Sequence, residues 1–244
     1  MTRTANDMLH SPVRLCITVL QTTYRPLHAP HLFLEYENHH IEQPLGVREW
    51  LVEVFRRIKE IGMAVENSKV LIIVNNWGIE ETELTRPLRD LKAAGAKVTL
   101  AATTLDPCET VQHDRYEGET LTPDARLSDV QAADYDLLVV PGGTCNVDRI
   151  RVNEDAITLA QEFAHEGKPI AAICHGAWLL VNAGLVAGKT AAPFRYIAAD
   201  IENAGGHYVE VRLHVDDANG FKLITSRKPD DLDYFVGAIK DALK

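Results

Sequence analysis

Cys174, His175 and Gly176 lie between two apolar runs, residues 169–173 and 177–180. The first run reads as a buried strand and the second as the start of a helix, which places a thiol and an imidazole on the sharp joint between them. Such a joint is expected to be strained, exposed at the carboxyl end of a sheet, and aimed at the positive end of a helix dipole. That dipole favours a thiolate by ~0.3–1 kcal/mol. Burial as a small hydrophobe is the ordinary fate of a free cysteine. Here the strand end, the neighbouring ring and the close backbone approach that Gly176 allows point instead to a nucleophile. His175 is then a general base or a donor that orients substrate. As a base it needs a third group on its other nitrogen.

Three further groups bear on that joint. Pro141-Gly142-Gly143 follows the apolar run 137–140, and its backbone N–H groups, with that of His175, suit an oxyanion. Glu80, Glu81 and Glu83 follow the apolar run 69–75 at the start of a helix. The plain reading has them solvated and complementing the helix dipole. The alternative brings one of them to the sulfur, protonated and donating a hydrogen bond. Asp148-Arg149 reads as a surface pair. Cys108 with His113 and Asp114 fits no metal spacing, so no metal is expected, and no cofactor either. His39, His40, His207 and His214 are left as polar histidines, and Trp178, Leu179 and Leu180 as core residues.

The elements that must position these groups alternate. Residues 69–75 and 97–101 read as strands around a helix at 81–94; residues 136–140 as a strand; 153–166 as a helix; and 168–173 as the strand leading to Cys174. A strand at 221–225 and a helix at 231–243, with Asp230 and Asp231 as capping acids, complete the pattern. The stretch 103–133 reads as hairpins and loops at the edge of the site. Such alternation predicts an α/β fold with a mostly parallel sheet, helices on both faces, and ligands at the carboxyl ends of the strands. Residues 1–66 read as an N-terminal extension with a strand at 13–20 and an amphipathic helix at 47–62. Residues 67–244 form the main domain.

Composition limits what such a domain does. At 244 residues and 46% hydrophobic, the chain has one large core. A formal net charge of −10 offers no basic stripe for nucleic acid. The apolar runs are strand-sized, well short of the ~20 residues that span a membrane. The four cysteines are scattered, and no signal-peptide pattern opens the sequence, so a cytoplasmic protein with free thiols is expected.

From about residue 69 to 243 the chain resembles the DJ-1/PfpI superfamily, and in it the PfpI-like intracellular protease and general-stress-protein branch. The resemblance rests on KVLIIVNNWGIEETELTRPLRDLKAAGAKVTLA, DLLVVPGG, GKPIAAICHGAWLLVNAGLVAGK, DIENAGGHYV and LITSRKPDDLDYF. It implies a flavodoxin-like three-layer sandwich and a nucleophilic Cys174 followed by His175. It also implies an orienting acid at Asp148 supplied by a neighbouring subunit, hence a homo-oligomer. Glu83, with Glu80 second, would contact the sulfur, and the amides of Gly143 and His175, with Gly142 beside them, would form the oxyanion pocket. Ala177 stands where relatives commonly have proline. Residues 191–194 replace their Thr-Ser-aromatic-Pro segment near the pocket.

The implied activity is that of a cysteine hydrolase or lyase acting on a peptide, an amide or a small aldehyde such as methylglyoxal. A non-catalytic redox or stress sensor, or a chaperone with an oxidisable Cys174, is the alternative. A class I glutamine amidotransferase fits less well, because its distant histidine motif has only His214-x-Asp216 as an analogue.

Overall fold

The computed structural model describes residues 65–244. The extension at 1–66, with its expected strand and helix, lies outside the described residues except for Val65 and Glu66.

In chain order the strands are β1 (Lys69–Val74), β2 (Trp77–Glu80), β3 (Lys97–Ala102), β4 (Cys108–Gln112), β5 (Tyr116–Leu121) and β6 (Ala125–Arg126). They continue with β7 (Leu137–Val140), β8 (Ile170–Ile173), β9 (Thr190–Ala191), β10 (His207–Tyr208), β11 (Leu213–Asp216) and β12 (Leu223–Ser226). The α-helices within the described residues are α1 (Glu81–Ala93), α2 (Thr144–Ile150), α3 (Glu154–His165), α4 (Ala177–Asn182), α5 (Ala198–Asn203) and α6 (Leu232–Ala242).

Seven strands form the central sheet in the order β11-β12-β8-β7-β1-β3-β6, all parallel except β11, which runs antiparallel to β12. Along β1, Leu71 and Ile73 enter one apolar cluster, while Val70, Ile72 and Val74 enter the other. This is why β1, β7 and β8 are continuous apolar runs rather than alternating ones: both faces are covered. On one face pack α3 and α4, through Leu159, Phe163, Leu179 and Leu180. On the other pack α1 and α6, through Leu84, Leu91, Phe235 and Ile239. The result is the expected flavodoxin-like three-layer sandwich.

The five central parallel strands run β3-β1-β7-β8-β12, so the chain order reverses between β1 and β7. The crevice that such a reversal opens at the carboxyl ends of the strands is where these sheets bind ligands. Pro141 follows β7 and Cys174 follows β8, at that crevice.

Two elements depart from the expectation. The β4–β5 hairpin lies in the stretch 103–133 as expected, but a further strand, β2, pairs with β4 to make a separate three-stranded sheet. Helix α2 starts directly after Gly143, where only a turn was expected. Both β2 and α2 are short, and β2 pairs with a strand distant in sequence, so periodicity carries little signal for them. At the start of α6, Asp231 makes no side-chain cap. It is buried against Arg227, whose Nε and Nη2 donate to it at 2.9 and 3.1 Å.

Candidate active site

Cys174 adopts φ +58°, the left-handed region that a residue with a side chain enters at a cost of ~1–3 kcal/mol. The surroundings hold it there. Strand β8 is pinned in the sheet, the Phe194 N–H donates to the Cys174 carbonyl at 3.1 Å, and Gly176 packs against β7. A Cβ on Gly176 would lie 2.3 Å from the Val140 carbonyl oxygen, so the joint closes only around glycine. One expectation is corrected here: the joint is not exposed. Cys174 is 8% exposed, and burial pushes its thiol well above the ordinary cysteine range. The His175 backbone N–H facing the sulfur opposes this, as does the short helix α4, but desolvation dominates. At rest the group is a thiol, and something must take its proton.

His175 is placed to do so. Its Nδ1 lies 3.3 Å from Cys174 Sγ, and its ring sits between those of Trp178 and Phe194 at 5.4 and 5.2 Å. Trp178 is therefore a wall of the histidine as well as a packing residue. Burial lowers the His175 pKa, opposed by the charge of Asp114. The ring is neutral near pH 7 and has a lone pair to offer. Its Nε2 lies 3.4 Å from Thr144 Oγ1.

The three glutamates divide. Glu83 is fully buried, contrary to the solvated reading. Its Oε2 accepts the Gly142 N–H at 2.9 Å, while Oε1 is buried with no nitrogen or oxygen partner. The carboxyl lies within hydrogen-bond reach of the Cys174 thiol. Burial, reinforced by the nearby Glu80 charge, pushes the Glu83 pKa well up. A buried carboxylate beside a thiolate would be two like charges in low dielectric, so Glu83 keeps its proton. Glu80 turns the other way: its oxygens accept the backbone N–H of His113 at 3.2 Å and of Asp114 at 3.3 Å. Glu81 ties down β5 by accepting the Glu119 N–H at 2.6 Å.

The Pro141-Gly142-Gly143 turn meets this group at close quarters. A Cβ on Gly142 would lie 2.4 Å from Glu83 Oε2 and 2.7 Å from Cys174 Cβ. The Gly142 N–H is committed to Glu83, the His175 N–H faces the sulfur, and Gly143 lines the cleft. Asn146 locks the turn: buried, it donates from Nδ2 to the Gly142 carbonyl at 2.8 Å and accepts the Asn75 N–H at 2.7 Å. Sequence reasoning missed Asn146, whose only signal is its place just after the glycines.

Asp148 is not part of the chain's own cluster. Its side chain is 59% exposed and accepts from Arg151 at 3.0 Å, while Arg149 lies over the Trp77 ring at 4.8 Å. The expected Asp148–Arg149 pair is therefore replaced by two other contacts. Asp114, unlike Asp148, does line the cleft, together with Glu80, Glu83 and Asp230. Among the described residues no group of His, Cys, Asp and Glu is arranged to hold a metal ion. His214 and Asp216 sit on edge strand β11, where Asp216 accepts the Thr190 N–H at 2.8 Å and pairs with the buried Lys189 at 3.4 Å. They do not line the cleft.

The cleft over Cys174 has a volume of about 370 Å³ and is walled by Phe194, the His113-Asp114 turn, and Lys228 to Asp230 before α6. A roomier groove of about 480 Å³ along α3 has no cysteine in its lining. No helix among the described residues is long and apolar enough to cross a membrane.

The model of the DJ-1/PfpI family matches residues 68–242. General stress protein 18 of Bacillus subtilis is 34% identical over 167 residues, 68% of this chain and 93% of that protein. Deglycase PfpI of Pyrococcus furiosus is 33% identical over 164 residues, 67% of this chain and 92% of that protein. Among solved structures, a two-domain protein of Anabaena variabilis with DJ-1/ThiJ/PfpI-like and ferritin-like domains superposes with a TM-score of 0.66 at 33% identity. That match covers 72% of this chain and 48% of the other.

Proposed function

The chain belongs to the DJ-1/PfpI family, and from that premise we propose that it is a cysteine-nucleophile enzyme acting on small reactive carbonyl compounds, or on the groups these form on amines. The observation that carries the reading is the contact of the Cys174 thiol with His175 Nδ1 at 3.3 Å, beside a buried, protonated Glu83. The cleft supports a small substrate. At about 370 Å³ it lies at the low end of the ~300–1,000 Å³ of ligand pockets, too small for a folded peptide segment. The family member named a deglycase agrees with carbonyl chemistry.

On this reading His175 takes the thiol proton as sulfur attacks the carbonyl carbon. The carbonyl electron pair moves to oxygen, which the amides of Gly143 and His175 stabilise. Glu83 donates a hydrogen bond to sulfur and steadies the negative charge that builds there as the proton leaves. With methylglyoxal the sulfur adduct would rearrange by proton transfer between its two oxygenated carbons. Water then releases lactate and returns the thiol, so that one aldehyde and one water become one hydroxy acid. Asp148 enters only in a homo-oligomer, where it would leave Arg151 to approach the His175 of a neighbouring subunit. A cytoplasmic location belongs to the same proposal.

The test is conversion of methylglyoxal to lactate by the wild type and Cys174→Ser, with casein cleavage in parallel. Turnover of the aldehyde that is lost in Cys174→Ser supports the reading, and turnover retained in the variant overturns it. Mass gain at Cys174 under peroxide, with neither substrate consumed, would replace the enzyme with a redox sensor.

A further inference from the structure

The rim of the cleft holds a carboxylate that completes a relay inside one chain. Asp114 stands in the turn between β4 and β5 at φ +55°, next to His113 at φ +57°. Left-handed backbone at two successive residues with side chains is strained. Glu80 holds it by accepting both of their N–H groups. So held, the turn aims Asp114 at the first residue of α2. Its Oδ1 accepts the Thr144 N–H at 2.8 Å, and its Oδ2 accepts the Thr144 hydroxyl at 2.7 Å.

A hydroxyl has one hydrogen, and Thr144 spends it on Asp114. Toward His175 the Thr144 oxygen is an acceptor, 3.4 Å from Nε2. That selects the tautomer: hydrogen on Nε2, lone pair on Nδ1, facing the thiol. The distance is long for a resting hydrogen bond, as catalytic contacts without substrate often are.

We propose that Asp114, acting through Thr144, is the positioning residue that orients His175 as the base for Cys174, without help from a second subunit. The inference rests on the reading of Cys174 as a nucleophile. As the thiol proton passes to Nδ1, the imidazolium faces the Asp114 carboxylate across the Thr144 hydroxyl. The sulfur lone pair forms the S–C bond, the carbonyl π pair becomes a lone pair on oxygen, and the proton on Nδ1 later returns to that oxygen. The other charged groups around the ring are Glu83 from α1, Glu80 from β2, His113 from the turn, and Lys228 with Asp230 before α6. Glu83 is neutral, Glu80 is occupied by the turn, and Lys228 pairs with Asp230 at 2.7 Å. Asp114 is the group whose charge raises the His175 pKa against burial.

The test is the rate at which iodoacetamide alkylates Cys174 between pH 5 and 10, read by peptide mass so that the exposed Cys145 is scored separately. Asp114→Asn and Thr144→Val should each slow alkylation at pH 7 by roughly tenfold. Thr144→Val, which keeps the Asp114 charge that itself raises the Cys174 thiol, should also move the profile to higher pH. Asp114→Glu and Thr144→Ser should restore most of the rate. Thr144→Val keeps the backbone bond to Asp114, so it removes the hydroxyl link while the turn stays docked. The losses should be the same at every protein concentration. Unchanged profiles in both Asp114→Asn and Thr144→Val overturn the relay, and losses that vary with dilution overturn its confinement to one chain. Because no substrate is needed, a wild type that turns over no carbonyl compound overturns the proposed function separately.

Discussion

Two of the places where side-chain-bearing residues adopt left-handed backbone border the cleft, and they are held in opposite ways. At the joint after β8, Cys174 is clamped by a buried sheet, by the Phe194 N–H and by a glycine too close to Val140 to tolerate a methyl group. At the β4–β5 turn, His113 and Asp114 are held by the two hydrogen bonds that their N–H groups donate to the single carboxylate of Glu80. The first arrangement is rigid because it is part of the core, where packing is dense and does not yield. The second stands at the rim and depends on one side chain. The nucleophile is thus fixed by the fold, whereas its supporting acid is fixed by a local tie. Chemistry should fail all at once when the joint is altered and by degrees when the turn is.

The comparison is broken most severely at Gly176. Gly176→Ala drives a methyl group to within 2.3 Å of the Val140 oxygen, so we expect a loss of about 1–3 kcal/mol or more in urea unfolding, with activity abolished. A variant as stable and active as the wild type would show that the joint is not rigid.

Glu83→Gln separates charge from shape, since glutamine mimics the protonated acid. A carboxyl whose folded pKa is raised contributes stability that is full below its unfolded pKa and is lost as pH rises through the folded pKa. Wild-type stability should therefore fall relative to Glu83→Gln as pH rises above the ordinary glutamate range, measured by urea midpoints at pH 4 to 9. A constant difference between the two proteins would mean that Glu83 is ionised when folded.

At the turn the expected effects are smaller. Glu80→Ala removes two long, part-buried hydrogen bonds to a carboxylate, at 3.2 and 3.3 Å, so the loss should stay near ~1 kcal/mol and be confined to the hairpin. Faster hydrogen exchange at the amides of residues 112–118, with unchanged exchange in β1 and β7, is the expected result. Activity should drop partially, because Asp114 loses its aim while Cys174 and His175 keep theirs. The smallest effect belongs to His113→Gly. It relieves left-handed strain but adds unfolded-state freedom, and the two nearly cancel to within about 1 kcal/mol.

How much of this was readable beforehand follows the same division. The strands β1, β7 and β8, the helix α1, and the Cys174-His175 joint were visible because long apolar runs and a strand–Cys-His-Gly–helix pattern are local signals. Glu83 was singled out, but among three acids whose ordinary place is solvent. Its burial comes from the docking of α1 over the Pro141-Gly142-Gly143 turn, which no local pattern records. The expected exposure of Cys174 was wrong for the same reason: Phe194, twenty residues on, folds back over the elbow.

The sequence by itself determined which residues are capable of chemistry and where the strands end, because both follow from side-chain type and from periodicity over a few residues. Only the tertiary structure decided their protonation and partnership. Whether Glu83 holds a proton, whether Cys174 rests as a thiol, and which acid looks toward His175 all depend on desolvation and on contacts between segments. Asp114 and Thr144 are thirty residues apart, and Thr144 and His175 thirty-one. Thr144 and His175 meet because the parallel strands β7 and β8 bring their carboxyl ends to one crevice, and the separate β2-β4-β5 sheet carries Asp114 to it. This is a consequence of sheet order that no stretch of sequence contains.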